Sequence, residues 1–526
     1  MTTRFFSLSA LISLSLLTVL PALAQQGAMA PESKVRPDPN DAQALARSQS
    51  STALADAMLM LDYQVVPVVG NKSIDLIGFQ LLNKFNDWLY LGIGGHAPLF
   101  KGEYGGFMVF NATAHVQRKL FGDLFADAGL SLGGGGGGKS VQQSRIISGT
   151  GGFIKAYAGL GYDFKDFSVG ANLSRIKFTD SAIDHSQLSL YVQAPFSYAI
   201  GSYASSGSRA LLPDLSAAPG EGSENMLTLG LDNLDQIDPK GSNKRTINMV
   251  DMQFSHFMTK NSYWFFNAAA GYRGRPLYNQ AFGGLGYRYK VSPQVNLYSQ
   301  LAVGSGGYAP EVIDTGPGLL IYPKVSAEYL FTKNLGLSLS AGYMFAPRAT
   351  SKNYTFGAAL NYHINSADAG SGTSEAGLYS GYRFNLFQQT NFNVRFRNED
   401  QPNLRMLSIQ MDKVLSEHVY LPLQVSGAYS AYLGFPGYGE LAGGLGLQSR
   451  FEKNDRFQFF GQLMIGANPN GPILKAGIGL NFTMSDRLAI YATAGQTLAR
   501  LGDVKEKFRS DHVGLGVTYR FSVPGR

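Results

Sequence analysis

Past residue 24, no apolar run approaches the ~18 to 20 residues that a membrane-crossing helix needs. Strand-length segments with two-residue alternation nevertheless run from about Met58 to the C-terminus. In "LGLSLSAGYMF", Leu335, Leu337, Leu339, Ala341 and Tyr343 share one face, and Gly336, Ser338, Ser340 and Gly342 share the other. In "GLGVTYRF", Leu515, Val517, Tyr519 and Phe521 oppose Gly514, Gly516, Thr518 and Arg520. Successive side chains of a strand point to opposite faces. Such segments fit a soluble sandwich with its apolar face inside, or a membrane barrel with that face on lipid. Composition also favours strands and tight turns over helices: of 526 residues, 63 are Gly, 34 Phe and 28 Tyr, and 15% are charged.

The connections separate the two readings. Short turns such as Lys84–Asp87, Lys165–Asp166, Lys333–Asn334 and Ser485–Arg487 alternate with longer loops at 96–104, 133–151, 305–316, 346–352 and 499–509. Membrane barrels sort their connections in this way, short on the periplasmic side and long outside. A sandwich has no reason to. Tyrosine and phenylalanine also gather near strand ends, where an interfacial girdle would lie.

At the N-terminus, Arg4 precedes an apolar run from Leu8 to Leu20 and the small-residue pattern Ala22-x-Ala24. This predicts a cleaved signal peptide over 1–24 and a mature start at Gln25. Residues 25–55 are polar and read as a flexible periplasmic lead-in. The chain has no cysteine, which excludes disulfides and thiolate metal sites. No cofactor or metal is expected, because His96, His256 and His363 are scattered without ligand spacing. The net charge of +7 is spread without a basic block, so nucleic acid is not an expected partner.

The chain repeats. "NDWLYLGIGGH" (86–96), "NSYWFFNAAAGY" (261–272) and "EHVYLPLQVSGAY" (417–429) begin alike. "GGFIKAYAGLGYDF", "LLIYPKVSAEYLF" and "GPILKAGIGLNFT" correspond further on. Three units follow, at 56–200, 223–365 and 374–521, joined by linkers at 201–222 and 366–373. Each unit holds about eight strands, an even number, as an antiparallel barrel requires.

Together, the signal peptide, the sorted loops and the last strand "GVTYRF" resemble Gram-negative outer-membrane β-barrel proteins. The ending, with Gly516, Tyr519 and Phe521, is similar to the insertion signal read by the barrel-assembly machinery. The repeat unit also resembles a repeat-containing group of proteobacterial outer-membrane proteins without assigned activity. The resemblance implies export to the outer membrane, with outer-membrane lipid and the assembly machinery as partners.

The expected fold is all-β, a transmembrane antiparallel barrel of about 24 strands in three eight-stranded repeats. One large barrel is preferred over three tandem small ones. Its wide lumen would need a plug, supplied by residues 25–55 or by a periplasmic or secreted partner. A channel or export conduit for polar or polymeric cargo is then the expected function. Three closed barrels would instead suit a structural, anchoring or surface-interaction protein.

Candidate sites follow from the inward faces. Lys155, Lys324 and Lys475 occupy matching places, with Asp127, Gln300 and Gln462 on the neighbouring strands and Glu328, Arg288 and Asp251 in the second unit. An inward lysine needs a partner or water, so these residues are expected to form a lumen-facing polar network, and a ring of positive charge would bias a pore toward anions. "SLGGGGGGKS" (131–140) matches the phosphate-loop spacing at Gly133, Gly138, Lys139 and Ser140. No amphipathic helix is expected after it, so it reads as a flexible external loop. Asp184-His185-Ser186 suggests a hydrolase only superficially. Neighbours on a strand face opposite ways and cannot form a relay. No enzymatic activity is expected, and a lipid-modifying enzyme is the remotest alternative.

Overall fold

The computed structural model describes residues 52–68, 70–138, 141–208, 224–237, 246–275, 278–308, 312–364, 379–451, 455–499 and 507–524. The expected signal peptide, most of the expected lead-in, most of the linker at 201–222 and all of the linker at 366–373 lie outside them. The first unit contains β1 (Ala53–Val66), β2 (Ile74–Lys84), β3 (Leu89–Ala97), β4 (Met108–Phe121), β5 (Leu124–Gly136), helix α1 (Val141–Ser148), β6 (Gly152–Phe164), β7 (Phe167–Phe178) and β8 (Asp184–Ile200). The second contains β9 (Asn225–Gln236), β10 (Ile247–Phe257), β11 (Ser262–Arg273), β12 (Asn279–Lys290), β13 (Val295–Gly307), β14 (Leu319–Leu330), β15 (Leu335–Phe345) and β16 (Lys352–Ile364). The third contains β17 (Tyr379–Phe396), a two-residue β18 (Glu399–Asp400), β19 (Leu404–Val414), β20 (Val419–Ala428), β21 (Gly439–Gln448), β22 (Phe457–Asn468), β23 (Gly471–Thr483), β24 (Leu488–Ala499) and β25 (Phe508–Pro524).

Each unit closes on itself. β1 pairs with β8 through Asp62↔Tyr191, β9 with β16 through Leu229↔Leu360, and β17 with β25 through Asn385↔Thr518. The preferred single wall of about 24 strands is therefore corrected to three antiparallel barrels of eight main strands each. A single wall needs β8 on β9 and β16 on β17, and no such ladder joins the described strands.

The reason lies in the inward faces, which alternate large and small residues as a narrow barrel demands. The Tyr157 ring lies over Gly129, Tyr263 over Gly286 and Tyr420 over Gly446. A Cβ added to any of these three glycines would come within 2.3 Å of the ring. A wide wall would leave such rings facing an empty lumen.

The outward faces are apolar. Leu173, Leu285, Leu339 and Leu515 are each more than 60% exposed. Exposed aromatics gather at the short-turn end, among them Phe164, Phe167, Tyr289, Phe331, Phe457 and Phe459. Among the described residues, no helix is long and apolar enough to cross a membrane.

The three barrels touch one another. Phe79 of the first stacks on Phe266 of the second, with ring centroids 4.7 Å apart. Tyr198 of the first meets Phe521 of the third at 6.3 Å, beside a backbone bridge from Gly201 to Ser522. β11 packs on β22 and β23. The strands turned to this centre are mainly the second to fourth of the first barrel and the first three of the others. Their outward side chains are half-buried, while those of the later strands are open.

Candidate functional site

The polar chemistry of the molecule lies inside the three lumens. In each barrel the sixth strand carries an inward lysine: Lys155 on β6, Lys324 on β14 and Lys475 on β23. Lys155 Nζ lies 2.6 Å from Asp62 Oδ1 on β1. Lys324 Nζ lies 3.1 Å from Asp232 Oδ2 on β9, the matching first strand. In the third barrel that first-strand place is taken by Gln389, whose Oε1 accepts from Lys475 at 2.8 Å. The missing charge comes from β21, where Glu440 Oε2 lies 3.0 Å from the same ammonium. All three lysines thus meet a carboxylate, but the strand that supplies it changes.

The sequence places Asp127, Gln300 and Gln462 beside these lysines. The ladder register puts Ser131, Gln300 and Met464 directly opposite them. Asp127 sits at another level and accepts from the Tyr191 hydroxyl at 2.8 Å. Gln462 bonds Gln410 at 2.9 Å and Tyr420 at 3.1 Å. Asp251 accepts from Asn267 at 2.8 Å.

Two barrels carry a second ionic tier nearer the short turns. In the second, Arg288 reaches Glu224 with two hydrogen bonds, at 2.6 and 2.8 Å. His363 bridges Glu224 and Glu328 at 2.8 and 2.9 Å. Glu328 also accepts from Asn296, Tyr298 and Asn361. In the third, Arg383 Nε lies 3.0 Å from Asp412, which also accepts from Asn385 and Gln410. These groups are almost wholly buried, so side chains cross and fill the lumens.

Asp62, Asp232, Glu440, Glu224, Arg383 and Asp412 are not singled out from the sequence, and His363 is read there only as a scattered histidine. The available signal was a lone carboxylate on the inward phase of an apolar strand, as in "MLMLDYQVV" and "LSIQMDKV".

The glycine run is corrected on two points. An eight-residue helix, Val141–Ser148, does follow it. Its short length hides its period from sequence reading. Gly133 to Gly136 end β5, and the run packs against neighbours rather than hanging free. A Cβ on Gly134 would stand 2.3 Å from the Ala428 carbonyl oxygen of the third barrel. Gly138, at φ +76°, would bring one within 2.4 Å of the Tyr104 oxygen. Glycine is present because backbones meet there. Lys139 and Ser140 lie outside the described residues. His185 points inward and Ser186 outward, so the two make no relay.

Gly516 faces the third lumen, where a Cβ would meet Phe387, while Tyr519 and Phe521 face outward. Phe521 stacks on Tyr382 at 5.7 Å. Among the described residues no group of three or more His, Asp or Glu side chains is arranged to hold a metal.

Closed sheets with apolar exteriors and fully engaged backbones are the only way strands can cross a bilayer. The chain is built as three closed antiparallel β-barrels with apolar exteriors, the architecture by which strands can cross a bilayer. No protein-family model and no curated protein matches it. Among solved structures it is similar to a de novo designed transmembrane β-barrel, at 15% identity over 28% of this chain and 100% of that one, with TM-score 0.19. It is similar to OccAB3 of Acinetobacter baumannii at 10% identity, over 90% of this chain and 99% of that one, with TM-score 0.21. The KdgM porin is similar at 8% identity, over 56% and 98%, with TM-score 0.16. Likeness of this size transfers no cargo to this chain.

Proposed function

We propose that this protein is a non-conducting outer-membrane scaffold, three fused barrels that present one rigid platform for anchoring or surface interaction. The observation that carries this reading is the filled lumen. A buried ion pair on the sixth strand crosses each barrel, and further hydrogen-bonded side chains occupy the levels above and below it. Small barrels of this strand number hold side chains, not a water column.

A channel for polar cargo is the second reading, favoured by the polar inward faces of all three barrels. Passage would require the ion pairs to part, and small solutes or ions fit that route better than polymers. Single-channel recording of the mature protein in a planar bilayer tests both readings, with and without residues 25–51. Silence from a folded, heat-modifiable protein in both forms is the expected outcome. Large steady steps would overturn the scaffold reading and establish transport.

A further inference from the structure

The outward faces of the three barrels flank a partly open central space of about 2430 Å³. At membrane depth its wall is apolar: Phe79 and Ile93 from the first barrel, Phe254 and Trp264 from the second, Leu386 and Ile409 from the third. At the short-turn end the wall finishes in charges, with Lys84, Asp87, Asp486 and Arg487. Beside this rim, the buried Lys413 ammonium rests 3.0 Å from the Tyr362 ring centroid and 5.7 Å from that of Tyr382, a wall residue. Among the described residues it has no hydrogen-bond partner.

A partly open, largely apolar space of this size in a bilayer does not stay empty, because bare apolar walls forfeit dispersion contacts, and acyl chains suit those walls better than water. Residues 25–51 would fill it poorly, since they include Glu32, Lys34, Arg36, Asp38, Asp41 and Arg47. We infer that the space is a built-in site for a two-chain zwitterionic phospholipid. Its acyl chains lie between the barrels and its headgroup lies at the short-turn rim. Arg487 and Lys84 suit the phosphate, and Asp87 and Asp486 suit the ammonium, with Lys84 exchanging its contacts to Asp56 at 3.6 Å and Asp87 at 3.8 Å for the headgroup. The inference rests on the barrels spanning the membrane side by side.

The chain's tryptophans provide the test, since it has only Trp88 and Trp264. Trp264 lines the space, and Trp88 sits exposed at a turn. The Trp88→Phe protein is reconstituted in phosphatidylethanolamine brominated on its acyl chains, then extracted into detergent and washed. A control carries Leu173→Trp, on the outer wall, with both natural tryptophans replaced by Phe. The expected result is loss of Trp264 emission that survives extraction, while the control regains its emission. Trp264 quenched in the bilayer but recovering with the control would overturn a bound lipid. Trp264 unquenched in the bilayer while the control is quenched would overturn lipid in the space. Blue emission would then indicate a protein segment there, and red emission water. If neither is quenched in the bilayer, the membrane placement itself fails.

Discussion

At the scale of single residues, the interior is held by charges that water cannot reach. Lys155 and Asp62 are each 2% exposed. Removing Lys155 leaves Asp62 with only the His96 imidazole at 3.5 Å and the Gln64 amide at 3.2 Å, and breaking such a buried pair costs about 3–5 kcal/mol. Lys155→Met is expected to lower the urea midpoint of the first barrel by that scale, read from the heat-modifiable band. Adding Asp62→Leu should return most of the loss, because replacing a whole buried pair with apolar groups is often neutral. A double variant no more stable than the single one would show that the pair does not hold the lumen. The lysines were legible in the sequence, because alternation alone shows which face they occupy. Their partners were not, because Asp62 lies 93 residues away and reaches Lys155 across the lumen rather than along a ladder.

At the scale of elements, the three units preserve a function of the strand rather than an identity of the residue. Asp62 and Asp232 serve from the first strand of their barrels, and Gln389 keeps that place while Glu440 supplies charge from β21. Glu440→Gln should therefore destabilise the third barrel by a few kcal/mol, of the order set by an uncompensated buried charge. Gln389→Glu in the same chain should restore it by recreating the arrangement of the other two barrels. Thermal melting followed by gel mobility would read both changes, and failure of the rescue would show that the first-strand place is not equivalent across the units. Strands of 10 or more residues with clear alternation were readable, whereas α1 was not. Its "VQQSRIIS" is too short to display a helical period, and it is ordered by the packed glycine seam before it.

At the scale of the whole molecule, three self-closed barrels make a prediction that one wall cannot share. Residues 374–526, placed behind residues 1–24, should insert and give a heat-modifiable band without the other two units. An aggregated or protease-sensitive product would favour a wall that needs all three. The contacts between barrels combine ring stacking and backbone approach, as at Phe79 with Phe266 and Gly134 with Ala428, with hydrogen bonds such as Gly105 N to Gly316 O at 3.0 Å and Arg348 to the Phe100 carbonyl at 2.7 Å. Separated units should therefore lose the central space but keep their lumens.

The sequence by itself determined the strands, their apolar and polar faces and the threefold repeat. Each of these depends on the order of neighbours along the chain, through the two-residue period and the lengths of turns. Only the tertiary structure decided how many barrels the strands make. Edge strands offer the same hydrogen bonds whether β8 joins β1 or β9, so local pattern cannot choose between them. The choice falls to interior volume: rings lying over glycines, and lysines that find carboxylates across a narrow lumen, fill eight strands and would leave a wider wall empty.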